Sequence, residues 1–277
     1  MIVASTAVQA FPDPAAQTLG LWVQSHRARI VGRSAEPDQE EYGRPYHFVN
    51  LEKFLLPNGH FRVPVSLPEN DPRGGLPGHV VGLVEQLAQA MKAESTGVPT
   101  AAEIDELERL LAWTCHYAAD STCPVHTTIR HHAAIPVIKA GKTNTPGLGQ
   151  WPVHSVYETD FLQHVENRYG ISGIILAQLD SYSPKPLRSV AEASIESVKG
   201  TYPYLQPILD TAEVSRVTVV VKGVDTKGKE WGSATQFPQQ WDDDLLSGVQ
   251  TNLLRAGRLT QRLWVTAWTM AEKPKLQ

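Results

Sequence analysis

The run Val214 to Val221, VSRVTVVV, decides between two fold classes. Its β-branched side chains are stiff about χ1 and suit a pleated surface. With Asp225 to Gly228, DTKG, as a turn, the run reads as one arm of a small β-hairpin within 214–236. A buried helix competes, because periodicity alone does not separate the two for a short apolar run.

Outward from this run, the rest of the sequence reads as helices. Leu19, Trp22, Val23 and Ile30 give residues 15–31 near-helical spacing, with an end at Gly32. Val80, Leu83, Leu87 and Met91 do the same for 79–93. Thr100 with Glu103 forms a capping-box pattern ahead of Ile104, Leu107 and Leu111, and predicts a helix running towards His116 and ending near Pro124. A helix over 153–169 closes at Gly170, and further helical pieces fall at 186–198, 204–212 and 243–270. Residues 33–73 and 131–150, rich in Pro and Gly, read as loops. The sequence shows no repeat, low-complexity tract or linker. The expected fold is mainly α: a single-domain helical bundle spanning 1–277, with the hairpin as its one β element.

Bulk properties exclude several classes. At 277 residues, 42% hydrophobic and 19% charged, the chain can bury a sizeable core and is not of disordered composition. A formal net charge of -4 rules out a strongly basic coat for nucleic acid, so any phosphate must be held by something other than bulk charge. Two cysteines, Cys115 and Cys123, are too few for a disulfide scaffold and fit either redox compartment. No apolar stretch approaches the roughly 20 residues that span a bilayer. The opening MIVASTAVQA has no basic segment and too short an apolar run for a signal peptide.

Leu111 to Thr128, LAWTCHYAADSTCPVHTT, concentrates chemistry. His116 and Asp120 stand four apart on the predicted helix, so both point from one face with Cβ atoms about 5–6 Å apart. That separation suits a single metal ion. His126 follows the helix end, where the chain can fold back. The spacing recurs at His154 and Glu158 in WPVHSVYETDFL. A single such pair can be a local ion pair, since a His at a given offset is about a one in 28 event here. Two pairs joined by His126 point to a metal cluster built between helices. Nitrogen and carboxylate donors favour zinc, with iron or manganese as alternatives. A di-iron carboxylate oxidase is disfavoured because Glu-x-x-His pairs are lacking.

These motifs resemble the zinc-dependent phospholipase C and single-strand nuclease superfamily (S-one/P-one type). Its signature is His-x-x-x-Asp-x5-His, followed by a helix opening on His-x-x-x-Asp or Glu. CHYAADSTCPVH fits the first part and HSVYE the second, with Glu158 the phospholipase-like choice. Upstream, EPDQEEYGRPYHFVNLE supplies Asp38 and His47 as the family's Asp and His pair, with Glu40 or Glu41 as alternatives to Asp38. LLRAGRLTQRLW is similar to the closing helix of bacterial members. The likeness runs from about Ala7 to Ala271 and is weakest between Gln178 and Trp241.

The resemblance implies that Asp38, His47, His116 and Asp120 hold one zinc, and His126, His154 and Glu158 a second. The family binds a third zinc with the shared Asp, here Asp120, and an N-terminal Trp and His. No Trp or His precedes 2–12, and Trp22 and His26 come too late in the pattern. The expectation is therefore two or three zinc ions: either a secreted precursor has been shortened, or the member has a two-metal site. The family is usually secreted or periplasmic. The implied activity is phosphodiester hydrolysis by metal-activated water, with Asp38 as catalytic residue orienting the water or taking its proton. Substrates would be single-stranded nucleic acid or a phospholipid headgroup, and the protein a monomer. Phe48 either stacks on a nucleobase or packs in the core. Gln39 stands where choline-lipid members have Tyr, which tilts the reading towards a nuclease. The alternative is a catalytically impaired member that binds metal and works as a binding module. Gly141-Lys142-Thr143 reads as plain loop, His131 and His132 as loop residues with a substrate role as the alternative, and Asp242 to Asp244 as a solvated helix start favoured by the macrodipole.

Overall fold

The computed structural model describes residues 2–11, 17–40, 45–94, 98–130, 133–273 and 276. In chain order the helices are α1 Ile2–Gln9, α2 Gln17–Ser25, α3 Arg27–Arg33, α4 Glu36–Glu40, α5 Leu76–Glu94, α6 Ala101–Asp120, α7 Leu162–Tyr169, α8 Ile171–Leu179, α9 Val190–Thr201, α10 Leu205–Val214 and α11 Gln239–Met270. The capping box forms as the sequence predicts: Thr100 Oγ1 accepts the Glu103 N–H at 3.3 Å, and a Glu103 carboxylate oxygen accepts the Thr100 N–H at 2.7 Å. From that start α6 buries Leu107, Leu110, Leu111 and Tyr117 against α5 and α11. Trp264 on α11 donates its indole N–H to the Leu111 carbonyl at 3.2 Å. The Gln261 amide donates to the carbonyls of Ala7 and Ala10, which ties α1 to the same helix.

The expected mainly α bundle is overturned: the chain is mixed α/β. A four-stranded sheet has the order β2-β1-β3-β4, with β1 Ala134–Gly141, β2 Gly147–Pro152, β3 Val217–Val224 and β4 Glu230–Gln236. The β3–β4 hairpin is antiparallel, and β3 alternates buried Val217, Val219 and Val221 with half-buried Thr218 and Val220. That two-residue period is a strand's, not a helix's. β3 pairs in parallel with β1, beginning at Val137 with Val217, and β1 pairs antiparallel with β2. β1 and β2 come from the stretch read as loop. Pro136 lies just ahead of the first β1–β3 pair, and the turn glycines Gly141 and Gly147 take φ of 85° and 105°. The breakers are real, but they bound strands rather than replace them.

Three smaller departures bear on the site. The helix over 15–31 breaks at His26, whose ring stacks on Trp22 at 3.9 Å and whose Nδ1–H donates to the Trp22 carbonyl at 2.8 Å. The loop over 33–73 contains α4 and two short 3-10 turns, Pro45–His47 and Leu51–Phe54. The helix over 153–169 opens as a π-helix, Ser155–Phe161, before α7, and ends on Gly170 at φ 59° as expected. α8 was not foreseen. No helix among the described residues is long and apolar enough to cross a membrane.

Gly74 fixes the path of the segment that carries His47. Its φ is 114°, and a Cβ there would lie 2.2 Å from the Phe48 carbonyl oxygen and 2.6 Å from Val49 Cα. Gly74→Ala is expected to destabilise the protein by about 2 kcal/mol or more, because the clash is with backbone and the conformation is strained for any L side chain. Gly32, near the end of α3, has nothing within 4 Å of the point where a Cβ would sit. Gly32→Ala should stabilise by up to about 1 kcal/mol. Urea unfolding of the two variants checks both signs.

Candidate metal centre

The last turn of α6 presents His116 and Asp120, and three contacts hold α3 and α4 against this helix. Arg29 on α3 reaches the buried Glu108 carboxylate of α6 at 2.8 Å, and Arg33 donates to the Asp105 carbonyl at 3.0 Å. Glu36, in the first turn of α4, accepts from the Trp113 indole at 3.2 Å. α4 is thereby held over α6, and Asp38 Oδ1 lies 3.6 Å from His116 Nε2. The 3-10 turn Pro45–His47 delivers His47, whose Nδ1 is 3.0 Å from Asp120 Oδ2 and 3.4 Å from His116 Nε2.

On the other side of Asp120, the 3-10 turn Pro124–Thr127 delivers His126. Its Nε2 lies 3.9 Å from Asp120 Oδ1, 3.0 Å from Glu158 Oε2 and 3.0 Å from His154 Nε2. His154 Nε2 is 2.5 Å from Glu158 Oε2. All seven residues singled out in the sequence as metal ligands therefore converge. They form two donor groups that meet at one carboxylate, with Oδ2 facing His47 and His116, and Oδ1 facing His126.

The imidazoles are oriented from behind. His116 Nδ1–H donates to the Ser34 carbonyl at 3.0 Å, and His126 Nδ1–H to the His47 carbonyl at 2.5 Å. A carbonyl only accepts, so the proton sits on Nδ1 and each Nε2 turns a lone pair towards the carboxylates unless a further proton is bound. This is the back-side support that metal-ligating histidines use. Among the described residues, two sets of donor atoms each lie within 4.8 Å of one another: Asp38, His47 and His116, and Cys123, His126 and Glu158.

The charges fit the same picture. Burial alone would push the His116 and His126 imidazoliums down. The combined charge and hydrogen bonding of the carboxylates, with Asp120 the strongest, outweigh it and raise them to about 8 and about 10. Burial would raise the Asp120 and Glu158 carboxyls, but the surrounding imidazoles hold both well below the usual range. Asp38 is raised, by burial first and then by the neighbouring carboxylates.

A cavity of about 920 Å³ opens beside the centre, with Asp38, His116, Asp120, His154 and Glu158 in its wall and apolar residues of α1 and α11 opposite. His47, His126 and the half-buried Phe48 are not in that wall. Sequence reasoning missed Tyr117, whose hydroxyl approaches His47 Nε2 at 3.4 Å, and Tyr46, which stacks on His79 at 4.3 Å. Neither carries a spacing signal. It also gave Cys115 and Cys123 no part in the site. Both are free thiols, and Cys123 lies beside His126.

Of the alternatives to Asp38, Glu41 lies outside the described residues, as do His131 and His132. Thr143 and the Asn144 N–H bind the Glu230 carboxylate, so that loop already holds an anion of the chain's own. Asp242 corrects the expectation of a solvated helix start. It is buried, and takes contacts from His164 at 3.0 Å, Tyr169 at 2.8 Å and Arg168 at 2.9 Å. No family model and no curated protein matches the chain.

The metal-free protein should lose stability as pH rises. The raised histidines His116 and His126 contribute fully below about pH 6.5, their unfolded value, and the contribution fades as pH climbs through about 8 and then about 10. The lowered carboxyls of Asp120 and Glu158 contribute above about pH 4 and lose their contribution on acidification. Melting temperature in the presence of a chelator is thus expected to peak between about pH 4.5 and 6.5. Saturating zinc should flatten the alkaline side, since the ion replaces the protons. A chelated protein equally stable at pH 6 and pH 9 would contradict this account of the cluster.

Proposed function

We propose that the protein is a zinc-dependent phosphodiester hydrolase, acting on single-stranded nucleic acid or a phospholipid headgroup. One observation carries the reading: a single buried carboxylate, Asp120, stands between two groups of imidazoles and acids drawn from separate segments of the chain. The donor set of four nitrogens and three carboxylates suits zinc. Asp38, His47, His116 and Asp120 would hold one ion, and His126, His154 and Glu158 a second. The resemblance of these motifs to zinc-dependent phospholipases C and single-strand nucleases supports the same chemistry.

Bound zinc supplies a water acidified towards neutrality and a positive field for phosphate oxygens. The chain's own groups do the rest. Asp38, half-exposed at the cavity wall, accepts the water's proton. The Ser34 and His47 carbonyls hold His116 and His126 in the tautomer that binds. Val3 and Ala4 of α1 with Val249, Leu253 and Ala256 of α11 make part of the cavity wall apolar. A surface of net charge -4 offers phosphate no general attraction, so binding is local to the centre.

Elemental analysis together with hydrolysis of bis-p-nitrophenyl phosphate tests the reading. The wild-type chain is expected to carry about two zinc ions and to hydrolyse the ester. Asp120→Asn should lower zinc affinity by at least about 10- to 100-fold and reduce turnover to background. A folded wild-type protein that binds no zinc refutes the reading. One that is loaded with zinc but inert favours a metal-bearing binding module.

A further inference from the structure

The sequence motifs provide only nitrogen and oxygen donors for the second metal position, but the fold adds sulfur. Cys123 Sγ, a ring nitrogen of His126 and a Glu158 carboxylate oxygen lie within 4.8 Å of one another. Cys123 shares the cavity wall with His154 and Glu158, and it is half-buried where Cys115 is 1% exposed. We propose that Cys123 is a ligand of the second position, completing a Cys-His-His-Glu set. The inference rests on the metal-centre reading above.

Local structure explains the placement. α6 ends at Asp120, and the Cys123 N–H donates to the Asp120 carbonyl at 3.1 Å. The His126 N–H donates in turn to the Cys123 carbonyl at 3.1 Å. These consecutive turns wind Asp120, Cys123 and His126 around one point, so a single short segment brings three donors to the same place.

His126, His154 and Glu158 supply three donors to the second position, and Cys123 would add a fourth. Asp120 Oδ2 faces His47 at 3.0 Å, while Oδ1, 3.9 Å from His126 Nε2, turns towards the second position as a shared carboxylate. The Cys123 sulfur is a further donor at that place, and neither cysteine is tied up in a disulfide. Binding forms one metal–sulfur bond and breaks the S–H bond, with the proton passing to solvent. A thiolate also tilts the position towards zinc, cadmium and cobalt and away from magnesium or manganese.

Cobalt(II) titration of the chelator-treated full chain tests the assignment. Visible d–d bands report bound cobalt, and a near-ultraviolet thiolate-to-cobalt charge-transfer band reports sulfur in its coordination sphere. The wild-type protein is expected to show both. Cys123→Ser and Cys123→Ala should keep visible bands and lose the charge-transfer band, with cadmium affinity down by about 10- to 100-fold. Cys115→Ala should keep it. Visible bands without a charge-transfer band in the wild type, or a band that survives Cys123→Ser, overturn the Cys123 assignment and leave the metal centre standing. A folded wild-type chain that takes up no cobalt overturns both. Absence of the band in the wild type overturns the assignment without any variant, and where the band is present Cys123→Ser and Cys123→Ala give two independent chances of a folded variant to assign it.

Discussion

Asp120 is a carboxylate that is 1% exposed and lies at the last residue of α6, where the carbonyl ends of the helix already concentrate negative charge. Burial and the helix dipole both oppose an ionised acid there. It is sustained only because His47 and His116 meet one of its oxygens and His126 approaches the other. Leaving such a charge unpaired costs about 3–5 kcal/mol, so the partners must be held firmly in place. Much of the irregular structure near α6 delivers them: α4 brings Asp38, and short 3-10 turns bring His47 and His126.

The two donor groups are coupled through backbone as well as through Asp120. The His47 ring faces the first group while its carbonyl accepts the Nδ1–H of His126 in the second. The Val49 N–H donates to the His126 carbonyl at 2.8 Å, so the segment after His47 and the turn carrying His126 are bonded in both directions. Gly74 allows that segment to press close, since the Phe48 and Val49 backbone occupies the space that a Cβ at position 74 would need. Displacing His47 therefore displaces His126, and the two proposed metal positions behave as one structural unit.

What could be read from the sequence was local. The Thr100 and Glu103 cap, the one-turn spacing of His116 and Asp120, and the closing Gly170 each depend on residues within a few positions of one another, and each appears as expected. The sheet was hidden because its central β1–β3 pairing joins residues some eighty positions apart, as Val137 with Val217 shows. Pro136 and the glycines disguised β1 and β2 as loop. Asp38 and His47 were found through resemblance alone, for no period links them. The Cys123 thiol was missed because its neighbourhood to Glu158 is created by the fold.

The π-helix over Ser155–Phe161 has a physical reason of its own. In an α-helix a residue and the fourth after it sit one above the other with a slight angular offset. A π turn closes on the fifth residue, so it is wider, and the fourth residue falls short of a full turn. His154, at the entry, and Glu158, within the widened turn, can then lean towards a common point instead of stacking along the axis. His154 Nε2 and Glu158 Oε2 close to 2.5 Å, and both reach His126 Nε2 at 3.0 Å. An α-helix resumes at Leu162, as soon as the donors have been delivered. Such turns are less favourable than α-helix and concentrate at functional sites. Here the wider turn covers the segment that presents Glu158 of the second donor group.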